Sequence, residues 1–93
     1  MSAYFENSGY KGFATWMRTQ AEEEYAHAMK FYNYMLDVSG RVILEAIDKP
    51  KCEWESPLEV FEAAKKHELY VTKLINDLVT VAIEEKDYAT NIF

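Results

Sequence analysis

"AEEEYAHAMKFY", residues 21–32, sets Glu22, Glu23, Glu24 and His27 in a stretch otherwise made of alanines, aromatics and other helix formers. Whether Glu24 and His27 face solvent or the apolar side decides between a plain helical module and part of a metal site. At about 100° per residue, Phe13, Met17, Gln20, Glu24, His27, Phe31, Met35 and Val38 share one narrow stripe. Glu24 sits near its centre. Glu22 takes a solvent address and Glu23 the stripe's edge, so the three glutamates are no uniform charge run. The expectation is that Glu24 and His27 point inward.

A second helical row repeats the pattern. Phe61, Ala64, Glu68, Val71, Ile75, Leu78 and Ala82 alternate by threes and fours, and Glu68 is the one member that is not apolar. Burying an isolated carboxylate costs several kcal/mol, so such groups are paired, protonated or bound to a cation. Neither stripe carries a lysine or arginine to pair with them. A glutamate followed by histidine at i+3 puts carboxylate oxygen and imidazole nitrogen on one face, a donor set suited to iron or manganese more than to thiolate-bound zinc. Each feature also has a plainer reading: Glu-x-x-His is frequent in helices, and a lone histidine on an apolar face is usually hydrogen-bonded core. Glu68 alone could sit at a stripe edge and reach water. Their conjunction is half of the di-iron carboxylate pattern, a Glu-x-x-His on one helix and a lone Glu on the next. His67, Glu84-Glu85 and Cys52 read as surface or incidental residues.

Punctuation along the chain sets the topology. Asn7-Ser8-Gly9 closes a short segment, residues 1–6, and a long helix follows over about 10–39, with Gly40 expected at its C′ position. Residues 40–55 lack a sustained helical period. Ser56-Pro57-Leu58-Glu59 then reads as a capping box with proline at the first helical position, opening a second long helix over about 57–86. Asp87 is expected to cap a further helix begun at 88–93. A helix hairpin needs roughly 2–8 linking residues, whereas the sixteen here can run the length of a long helix, so a crossover with parallel helices is favoured. Such a connection occurs in ferritin-like bundles.

Composition narrows the function. The 93 residues make at most one small domain, and 49% apolar content is more than two helices alone can cover. A net charge of −6 disfavours nucleic acid or an anionic membrane as partner and is compatible with cation handling. One cysteine cannot form an internal disulfide, and no apolar run approaches the ~20 residues of a membrane span, which fits a soluble, cytoplasmic protein. A second apolar band on the first helix, Ala21, Tyr25, Met29, Tyr32 and Leu36, suggests a subunit contact, as does Val42-Ile43-Leu44.

"GFATWMRTQAEEEYAHAMKFYNYM" (12–35) and "SPLEVFEAAKKHELYVTKLINDLVTVAIEEKDYATNIF" (56–93), joined by the long crossover, resemble a bacterial non-haem ferritin subunit over essentially the whole chain. The resemblance implies an all-α, ferritin-like four-helix bundle, a dinuclear ferroxidase centre, O₂ or H₂O₂ as oxidant, and a shell of twenty-four subunits storing ferric mineral. By matching position it implies that Glu24 bridges two irons, His27 binds the first, Glu68 the second, and Glu23 a nearby third. The chain also departs from that family: Met1-Ser2-Ala3-Tyr4 resembles the end of a first helix, and Asn91-Ile92-Phe93 falls where a fourth is starting. The bundle is therefore expected to be incomplete here, the sequence a fragment starting at an internal methionine, with no residue to stand in for the ligands of the missing helices.

Two other readings stay open. Two copies could pair their long helices and together supply two Glu-x-x-His motifs and two lone glutamates. Alternatively, the chain is a non-catalytic helical oligomerisation module whose Glu24, His27 and Glu68 are solvated.

Overall fold

The computed structural model describes residues 1–93, all helix and irregular chain with no strand. Two units form along it, residues 1–54 and 55–93. No helix is long and apolar enough to cross a membrane.

In the first unit, α1 (Ser2–Asn7) folds back on the start of α2 (Lys11–Asp37). The link is a Schellman turn. Gly9 takes φ 82°, the Gly9 amide donates to the Glu6 carbonyl and the Tyr10 amide donates to the Phe5 carbonyl at 2.9 Å. The apolar contact that accompanies such turns is supplied by rings. Phe5 is fully buried and meets Tyr10 and Phe13 edge-on, at 6.2 and 5.2 Å between centroids, while Tyr10 stacks on Phe13. Each such pair contributes about 0.5–1.5 kcal/mol beyond its buried area. Ser2 Oγ donates to the Ala14 carbonyl at 2.8 Å and pins α1 across the first turns of α2, where Ala14 and Met17 are buried.

The far end of α2 corrects one expectation. Ser39, not Gly40, occupies C′, in the left-handed region at φ 62°. Its amide donates to the Leu36 carbonyl, and the Gly40 amide closes the outer bond to Met35 at 2.6 Å. Gly40 is needed for a different reason: a Cβ there would lie 2.8 Å from the Met35 carbonyl oxygen. Beyond it the chain runs to Ser56 without regular structure, exposing Ile43, Leu44 and Ile47. Near its end Lys51 Nζ sits 4.5 Å over the half-buried Trp54 ring.

The second unit opens on the cap. Ser56 is extended, the Glu59 amide donates to Ser56 Oγ at 3.2 Å, and Pro57 begins α3 (Pro57–Glu84). Glu59 completes the exchange one residue further out than the usual box, its Oε2 accepting from the Glu55 amide at 2.6 Å. At the other end Lys86 holds the left-handed position at φ 54°, and the Asp87 amide donates back to the Ala82 carbonyl at 2.8 Å. Asp87 simultaneously caps α4 (Tyr88–Ile92): its carboxylate accepts from the Thr90 amide at 3.1 Å and from Thr90 Oγ1 at 2.6 Å. Those Thr90 hydrogen bonds, side chain first, hold the Asp87 carboxyl below the usual aspartate range.

Opposite outcomes are expected at the α2 terminus. Ser39→Gly relieves a left-handed L-residue and raises stability by about 0.5–1 kcal/mol, whereas Gly40→Ala lowers it by about 1–3 kcal/mol through the clash with Met35. Thermal denaturation of the two variants checks both signs. Because the native Asp87 value is depressed, its stabilising contribution is complete above the ordinary aspartate pKa. It is lost as pH falls through the native value, and a carboxyl-detected NMR titration reads this directly.

Candidate metal centre

Glu24 lies at the middle of α2, with thirteen residues of the helix on either side. The i, i+3 relation brings Glu24 Oε2 to 3.5 Å from His27 Nδ1. That separation exceeds a normal hydrogen bond, so the two groups stand side by side without consuming each other's lone pairs. One ion at ~2.1 Å from each donor spans about 3.0–3.4 Å between them, slightly less than the 3.5 Å observed, so the two donors would have to close by a small side-chain adjustment to share an ion. Carboxylate and imidazole together are a donor set for a first-row divalent metal.

The expected burial of these groups is corrected. The side chains of Glu24 and His27 are 60% and 64% exposed, and Glu68 on α3 is exposed as well. The apolar neighbours give the reason: Phe31 is 47% exposed and Val38 55% on α2, and Leu78 is 59% exposed on α3. These apolar members of each stripe are open together with its carboxylates, and nothing sets the charged residues apart. Glu22 and Glu23 are also exposed. His67 lies by Tyr70, 6.5 Å between ring centroids, and Cys52 is an exposed free thiol. No three His, Cys, Asp or Glu side chains gather where one ion could be held. Within one chain, Glu24 and His27 form a pair of donors, and a pair leaves a coordination sphere open.

Residues 1–93 match the family model for the ferritin-like domain of ferritins. The chain belongs to the ferritin family. A bacterial non-heme ferritin of Bacteroides fragilis is 44% identical over all 93 residues, which correspond to 58% of that protein. Among solved structures, a humanized archaeal ferritin superposes with a TM-score of 0.98 at 49% identity, covering this whole chain and 56% of its own. An open-pore ferritin from the archaeon Archaeoglobus fulgidus gives 0.97 at 48%, covering the whole chain and 57% of its own. The chain thus spans a little over half the length of the ferritins it matches. Glu59, in the first turn of α3, and Asp87, just before α4, are engaged as helix caps.

Cobalt(II), followed by visible absorption, separates ligand from bystander. His27→Ala is expected to weaken binding tenfold or more, the equivalent of losing a contact worth about 1.5–3 kcal/mol, while His67→Ala leaves it unchanged.

Proposed function

We propose that this chain serves iron storage and detoxification, as part of a ferritin subunit that oxidises Fe(II) to Fe(III) and keeps the product as mineral inside a cytoplasmic protein shell of twenty-four subunits. Membership of the ferritin family supports this reading, and the single local observation that carries it is the Glu24–His27 pair at mid-helix. In this reading Glu24 bridges two substrate irons, His27 binds the first, Glu68 the second, and Glu23 a third ion close by. These residues supply hard oxygen donors and one imidazole. Negative carboxylates stabilise the trivalent ion more than the divalent one by simple Coulomb attraction, which lowers the barrier to electron loss. Each Fe(II) gives up one electron, and O₂ or H₂O₂ takes the electrons with protons from solvent.

One observation favours the rival, a non-catalytic helical oligomerisation module: Glu24, His27 and Glu68 are all exposed in the single chain. Stopped-flow oxidation of Fe(II) in air by the assembled protein separates the two. Glu24→Ala is expected to abolish the rapid phase, a loss of a hundredfold or more in rate if a transition-state contact of about 2.7 kcal/mol goes with it. Glu22→Ala is expected to leave the phase intact. An unchanged rate in the Glu24 variant sinks the ferroxidase assignment.

A further inference from the structure

We draw no further inference here: the strongest candidate, the half-buried Trp54 indole at the end of the crossover, whose Nε1 is shielded from solvent without a hydrogen-bond partner, carries nothing because nothing in the structure shows which group would accept from it or cover it.

Discussion

Each long helix carries an apolar stripe interrupted at its middle by carboxylate, and Glu24, Phe31, Glu68 and Leu78 on those stripes are exposed. This constraint governs the rest of the molecule. A helix of 27 or 28 residues takes most of its stability from packing one face, and hydrogen bonds along its axis contribute little net. The packing present is confined to the ends: Phe5, Ala14 and Met17 where α1 crosses α2, and Val60 and Ala82 near the two ends of α3. Phe31 and Leu78, nearer the middle of their helices, are exposed.

The same constraint explains why Glu24 and His27 carry no burial cost in the single chain. Water solvates both, and the 3.5 Å between them keeps the donor atoms available. Covering the face desolvates the carboxylates, which is unfavourable by several kcal/mol per ion unless a cation compensates. Metal affinity and helix packing are thus opposite sides of one free-energy balance. An uncovered pair is a weak site, whereas a covered one without metal is a strained core.

Much of this was legible in the sequence, and the exceptions have physical causes. Ser56-Pro57-Glu59 announces its cap because each residue type matches one unsatisfied group at a helix start, and the structure differs only in sending the Glu59 carboxylate to Glu55. The end of α2 was misplaced by one residue because glycine usually takes the left-handed position. Here Ser39 accepts that conformation, and Gly40 is required by its closeness to the Met35 carbonyl. Helical periodicity correctly put Glu24 beside His27, since i, i+3 neighbours need only a helix. It could not reveal exposure: a wheel shows which residues share a face, while burial depends on what lies against it. The Schellman turn with Lys86 at its left-handed position also carried no sequence signal, for lysine is not a residue favoured there.

The central claim is that Glu24 and His27 hold iron jointly. Anomalous diffraction at the iron edge, from crystals of the protein loaded anaerobically with Fe(II), tests it most directly. The account predicts a peak at about 2.0–2.2 Å from both a Glu24 carboxylate oxygen and a His27 ring nitrogen. Bound iron elsewhere, with none at that pair, would contradict it.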